Sequence, residues 1–285
     1  MLNYFQILIL APIQGACELL PVSSSAHVIV AEKLMGLDPA SPDMTMLLVL
    51  LHTGTMFAVI LYYWQGWRRD YLASAGQTQW FAIQVIGATL CTGVVGYGLK
   101  ILIEKVFMRG AEHAEIENLF ANLPLIAGAL AAVGILIIYA GLREDKAPRH
   151  SEIQPQHAFW IGLVQGLCLP FRGFSRSGAT ISTGLILGLP KQKLEEFSFA
   201  LAVVLTPPVI AQEAHRLLKA HALSGPNSVV HLFVPGLIGM VLSFGAGLVA
   251  LKLLSRWLEG GRWKFFGFYC LAAAATVLAI HFKVK

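Results

Sequence analysis

Charge is what this chain has least of. Asp, Glu, Lys and Arg make up 13% of its 285 residues, against 56% hydrophobic, and the mean hydropathy is +0.67. That is about half the charge share of a soluble domain, which excludes an ordinary water-soluble fold and points to a polytopic membrane protein. Cysteine is scarce too. Cys17, Cys91, Cys168 and Cys270 all sit in apolar segments without metal-ligand spacing; they read as small buried hydrophobes, and no disulfide is inferred. The basic excess, 21 Lys and Arg over 16 acids, is scattered among short loops and forms no patch. Nucleic-acid binding is therefore set aside, and the excess reads as membrane orientation. The stretch from Met1 to Leu20 lacks a basic n-region and a small-residue cleavage site, and Gln6, Gln14 and Glu18 interrupt it. It is expected to be retained structure and not a signal peptide.

Apolar runs of roughly 20 residues, long enough to span a bilayer, lie near Met46–Trp64, Trp80–Leu99, Leu119–Leu142, Phe197–Ala211, His231–Leu254 and Phe265–Phe282. Pro207-Pro208 interrupts the fourth, which is the shortest.

Two further segments, 151 positions apart, share one pattern. Gln14-Gly15-Ala16-Cys17 leads into Ser23-Ser24-Ser25-Ala26-His27, and Gln165-Gly166-Leu167-Cys168 leads into Phe174-Ser175-Arg176-Ser177-Gly178. Each puts a Pro and a run of hydroxyls into an apolar stretch, as a broken membrane helix does. Three spans follow each break, so two units of about 1–147 and 148–285 are expected within a single membrane domain. The polar linker Arg143 to Gln156, with Pro148 and Pro155, joins them. If each broken segment is re-entrant, each unit crosses three times, the second is inverted, and the two loops meet near the midplane. If each spans instead, the units are parallel. Under the re-entrant arrangement Arg68, Arg69, Lys146, Arg149, Lys191 and Lys193 belong to the face richer in Lys and Arg, which leaves both termini outside the cytoplasm. Arg109, Lys285 and the acidic Glu112, Glu115 and Glu117 fall on the other face.

The same arrangement leaves Glu18, Arg172 and Arg176 inside the membrane, where an ionisable group costs about 2.5 to 3.5 kcal/mol and usually faces a partner or a wet cavity. A structural ion pair is the plain reading. The hydroxyls around it suggest more. Ser175-Arg176-Ser177-Gly178-Ala179-Thr180 opens an apolar helical stretch, so backbone N–H groups, hydroxyls and a guanidinium meet at a helix N-terminus, which suits a phosphate. A simple Ser N-cap is the alternative. In the first segment Glu18, Ser24 and His27 offer a carboxylate, a hydroxyl and an imidazole that could activate it. Gln14 and Glu18, four apart on one helix face, could hold a divalent cation through oxygen. A lone His in an apolar chain is often structural, and that caution covers His27 and also His52.

With these residues in place, the chain resembles the undecaprenyl-pyrophosphate phosphatase, or bacitracin-resistance, family over nearly its whole length. One family motif appears as Gln14 to His27, with Leu19-Leu20-Pro21-Val22-Ser23-Ser24 at its centre, and a second as Arg172-Gly173-Phe174-Ser175-Arg176-Ser177-Gly178-Ala179-Thr180. Leu51-His52-Thr53-Gly54-Thr55 and Glu196-Phe197-Ser198-Phe199 also look like family segments. The resemblance implies an all-α fold of two inverted repeats, each a re-entrant hairpin plus three transmembrane helices, in the bacterial inner membrane. It implies an enzyme that takes the terminal phosphate from a C55 isoprenoid diphosphate, recycling the lipid carrier of cell-wall glycans, with the site open to the outer side. Glu18, Ser24, His27 and Arg176 take the catalytic positions and Ser175, Ser177, Thr180 and Arg172 the substrate loop. Gln14 and Glu18 would hold Mg or Ca. Ser24, His27 or a water remains open as nucleophile, and pairing of two copies is left open. Arg172 stands where the family usually has Pro. A lipid-phosphate transporter, or a paralogue that only binds the lipid, is the rival reading.

Overall fold

The computed structural model describes residues 3–38, 41–107, 122–143, 150–221 and 227–283, and among them every regular element is helical. Arg109, Glu112, Glu115, Glu117, Lys146, Pro148, Arg149, Lys285 and the first residues of the run from Leu119 lie outside the described residues. The helices are α1 (Tyr4–Leu19), α2 (Ser24–Leu34), α3 (Pro42–Asp70), α4 (Ala75–Leu102), α5 (Leu123–Leu142), α6 (Pro155–Cys168), α7 (Arg176–Ile186), α8 (Lys191–His221), α9 (Asn227–Glu259) and α10 (Trp263–Lys283), with a π-helical turn, Ile103–Phe107, continuing α4.

Polar caps mark where these apolar helices begin. Asn3 and Gln6 form a reciprocal capping box on α1. The Oγ of Ser74 accepts from Gln77 N at 3.3 Å on α4, and the Oδ1 of Asn122 accepts from Leu125 N at 3.1 Å on α5. Each cap satisfies an N–H that the first turn leaves without a helical acceptor. Proline supplies the opposite signal at the first break. Leu20 is extended (φ −75°, ψ 152°), as a residue before Pro is biased to be, so α1 ends at Leu19, two residues before Pro21.

Six helices carry apolar stretches long enough to cross a membrane: Met44–Asp70, Ala75–Lys105, Leu123–Leu142, Lys191–Ala211, Val234–Glu259 and Trp263–Lys283. They coincide with the six runs read from the sequence. One detail differs. Pro207-Pro208 does not break the fourth span, because α8 continues through both prolines; two missing N–H groups weaken a helix without having to end it in a membrane span. The remaining apolar helices are short. At 1.5 Å per residue, α1 at 16 residues and α6 at 14 reach only about 24 and 21 Å.

The helices pack α1 on α2, α6 on α7, α5 on α10, α3 on α8 and on α9, α1 on α9 and α4 on α6. Small residues let backbones touch, which is how helices associate where no hydrophobic drive separates lipid from Leu. A Cβ on Gly134 or on Gly267 would meet the other's carbonyl across the α5–α10 contact. A Cβ on Gly15 would strike the Ser243 carbonyl of α9, and one on Gly166 the Thr92 carbonyl of α4. These last two contacts are related by the same 151-residue offset on both sides. Outward, α4 exposes Ile83, Ile86, Leu90, Val94 and Tyr97 as one apolar stripe, the surface a bilayer solvates.

Candidate active site

The two breaks meet. After α1 the chain turns through Pro21, Val22 and Ser23 into α2, and Ser23 is the single non-glycine residue with positive φ (67°) among the described residues. Such a conformation costs about 1 to 3 kcal/mol and marks a position the surroundings force. After α6 the second break turns through Gly173, at φ 100° and with the Ile126 carbonyl of α5 where a Cβ would stand, and enters α7 at Arg176. Three contacts tie the breaks together. Arg176 Nη2 donates to Glu18 Oε1 at 3.3 Å, Ser177 Oγ donates to the Leu20 carbonyl at 3.3 Å, and Gly173 N donates to Ser25 Oγ at 3.3 Å.

Glu18 is the hub. Its Oε2 accepts from Ser24 Oγ at 2.5 Å and from Gln14 Nε2 at 3.3 Å, while Arg176 holds Oε1. The side chains of Glu18 and Arg176 are each 20% exposed, and Arg176 Nη1 is buried without a partner. A guanidinium with one N–H spent on the carboxylate and others free is prepared for a second anion. His52 stands on the other flank, 3.7 Å from Glu18 Oε2. Its Nδ1 lies 2.7 Å from the Leu48 carbonyl, which can only accept, so Nε2 is the acceptor and takes an N–H from Gln14 at 3.1 Å.

The residues singled out in the sequence thus divide. Gln14, Glu18, Ser24 and Arg176 come together. His27 is one turn on from Ser24 along α2, but its hydrogen bonds go to the Ser23 carbonyl (Nδ1, 2.8 Å) and the Tyr269 hydroxyl (Nε2, 2.7 Å); the group bonded to the Ser24 hydroxyl is Glu18. The second-loop hydroxyls are turned to structure. Ser175 caps α7 by accepting from Gly178 N at 3.2 Å, Ser177 reaches the first loop, and Thr180 lies 2.6 Å from Ser198 Oγ of α8. All three are buried. The N-terminal N–H groups of α7 beside Arg176 are the donors the helix itself leaves over. Arg172 lies within electrostatic range of Glu32, a buried α2 carboxylate with neither oxygen hydrogen-bonded. The four cysteines are free thiols.

Reasoning from sequence alone missed Tyr269 and gave no role to His52 or Ser198. The last two lie in segments already noted as motif-like. Tyr269 lies 242 positions from His27 with no repeat to announce it; its only signal is a polar tip in an apolar span.

The donor set also bears on a cation. Among the described residues no three His, Cys, Asp or Glu side chains converge into a closed cage. One carboxylate with an amide, a hydroxyl and an imidazole nitrogen around it suits instead an ion that is completed by waters and phosphate oxygens. Gln14 turns its N–H groups to Glu18 and His52 here, so its oxygen would face the ion only with the amide turned over, the ion then taking the place of those two hydrogen bonds. The residues fit such an ion.

Fold and site define a helical multi-pass membrane protein with an acid–hydroxyl–guanidinium centre where two broken segments meet. The family model for the bacitracin resistance protein BacA matches residues 7–276, and the chain belongs to that family. It is 56% identical to "Undecaprenyl-diphosphatase 2" of Acinetobacter baylyi over 98% of both chains. It is 32% identical to "Undecaprenyl-diphosphatase" of Desulfitobacterium hafniense over 100% of this chain and 98% of that one, and also 32% identical to its namesake in Caldicellulosiruptor bescii over 97% of both.

Proposed function

We propose that the protein is an integral membrane phosphatase that hydrolyses undecaprenyl diphosphate to undecaprenyl phosphate and inorganic phosphate, recycling the carrier lipid and so conferring bacitracin resistance. The observation that carries this is the Glu18–Arg176 pair with its spare guanidinium N–H and the Ser24 hydroxyl on the same carboxylate. Family membership and the relatives' shared name support it. Arg176 and the α7 N–H groups neutralise charge on the transferring phosphoryl group, the term that dominates such catalysis. Glu18 takes the Ser24 proton, so that Ser24 is the nucleophile the geometry favours over His27, and a water on the same carboxylate is the alternative attacker. A divalent cation held by Glu18 and Gln14 would supply further charge neutralisation at the phosphate.

The diphosphate head would enter between the loops from the outer face of the inner membrane while the prenyl tail stays among the spans. Two inverted repeats, 1–147 and 148–285, would build that cavity. The exchanged contacts α1 on α9 and α6 on α4, each through a Gly at the 151-residue offset, support this arrangement. The partners are the lipid, the bilayer and, where two copies pair, a second chain.

The test is phosphate release by purified protein from a long-chain prenyl diphosphate, with and without chelator, comparing wild type with Arg176→Ala. Chelator-sensitive release lost in the variant is the expected result. A folded wild type that releases nothing but moves uncleaved lipid across a vesicle membrane would make the protein a transporter.

A further inference from the structure

The deepest unassigned feature near the loops is what α10 does to His27. The Ser23 carbonyl at 2.8 Å can only accept, so Nδ1 carries the proton of a neutral His27, and Nε2 is left with a lone pair. The Tyr269 hydroxyl is 2.7 Å from that nitrogen and must be the donor. The two rings are also stacked, with centroids 5.6 Å apart and planes 10° from parallel. The Ser23 carbonyl thus fixes which nitrogen carries the proton, and Tyr269 fixes the plane and position of the ring and fills the other nitrogen's lone pair. The backbone cooperates: the Ser23 carbonyl is aimed by the strained positive φ at that residue, and Cys270, next to Tyr269, reaches the Pro21 carbonyl of the same turn with its thiol at 3.4 Å. Nothing in a merely packed helix contact requires two side chains of α10 to bond the inside of a loop turn.

We propose that Tyr269 is a positioning residue of the active site, holding His27 neutral, with Nε2 as the proton-accepting atom, through its hydroxyl and its ring. The inference rests on the phosphatase reading for its consequence and on geometry for its substance. A hydrogen bond donated to Nε2 stabilises the neutral imidazole, since protonation would turn that acceptor into a donor. Cys17 of α1 and Cys270 of α10 are the other titratable side chains beside Tyr269, and the group that reaches Nε2 on this side is the Tyr269 hydroxyl. Ser24 gives its own proton to Glu18, so what His27 accepts is a later proton of the cycle: one that reaches the Tyr269 oxygen while that hydroxyl passes its own proton to Nε2, a route that closes when acid protonates His27. Loss of the outer hydrogen-bond partner of a metal-bound imidazole costs about 10- to 100-fold in metal affinity or activity, and a loss at the lower end of that range is expected for His27.

Two measurements test this, using full-length protein in detergent. The first is nitrogen NMR of 15N-histidine-labelled wild type, with His27→Gln for assignment. The expected His27 spectrum has a protonated Nδ1 and an unprotonated Nε2, and the Nε2 resonance shifts in Tyr269→Phe, which keeps the ring and loses the hydroxyl. The second is the pH profile of phosphate release. Tyr269→Phe should lower kcat by about 10-fold or more with KM within about twofold, and should move the acid limb to higher pH. A structural role alone would lower the folded fraction and leave the profile in place. A wild-type His27 protonated on Nε2, or a Tyr269→Phe variant with unchanged Nε2 resonance and unchanged profile, overturns the proposal. A wild type that releases no phosphate refutes the phosphatase reading, and the spectrum still decides for or against the role of Tyr269.

Discussion

The Glu18–Arg176 pair makes a demanding prediction because it is structural and chemical at once. Both side chains are four-fifths buried, and the pair bridges the two loops. Removing one partner of a buried pair leaves the other uncompensated, at about 3 to 5 kcal/mol. Arg176→Ala is therefore expected to lower thermal stability, and Glu18→Gln to do so less, because Gln keeps an acceptor for the guanidinium. Combining them should recover part of the loss, giving a coupling of about 1.5 to 3 kcal/mol, the usual worth of a hydrogen bond to a charged group. Activity should not recover. Arg176→Ala removes the cation from the phosphoryl site, where losing one preorganised donor costs about 100- to 1,000-fold in kcat and an arginine more. Arg176→Lys is the finer probe: its point charge cannot serve the carboxylate and a phosphate with separate N–H groups, so it should fold nearly as wild type and still hydrolyse slowly. The assay pairs thermal unfolding in detergent with phosphate release. Additive stabilities, with no coupling between the two sites, would refute the ion-pair argument; an active Arg176→Ala would refute the catalytic one.

Ser24→Ala should abolish release, by more than 100-fold in kcat, with lipid binding intact in a tryptophan-quenching titration; unchanged hydrolysis would leave attack to water. Thr180→Val should destabilise by about 1 to 3 kcal/mol, since it leaves the buried Ser198 hydroxyl without its 2.6 Å partner, and Thr180→Val with Ser198→Ala should regain most of that in the same unfolding assay. Gly166→Val should cost about 1 to 3 kcal/mol and cut the yield of folded protein, because its side chain would enter the Thr92 carbonyl and Val95.

The spans were legible because twenty-odd apolar residues have few other uses, and the loops because polar residues at that depth stand out. Glu18 and Arg176 could be named on cost alone. What pairs with what was not legible. Ser24 bonds to Glu18 and not to His27, since the turn at Ser23 sends the imidazole toward α10 and the hydroxyl toward α1. Ser175, read both as a phosphate-loop hydroxyl and as an N-cap, accepts from Gly178 N as a cap does, and spacing alone could not say that it would. The continuation of α8 through Pro207-Pro208 shows the same limit: a local breaker weakens a helix without fixing where it ends.

The offset that aligns the two loops carries Glu18 onto Leu169 and Arg176 onto Ser25. A mirror copy of the centre would therefore set a leucine against a serine, with no acid and no cation. The two loops share their spacing, but the acid stands in one and the guanidinium in the other. Such a molecule holds one workplace where its loops meet, and not two. Neither loop, set against a copy of itself, could rebuild what the two unlike loops make together.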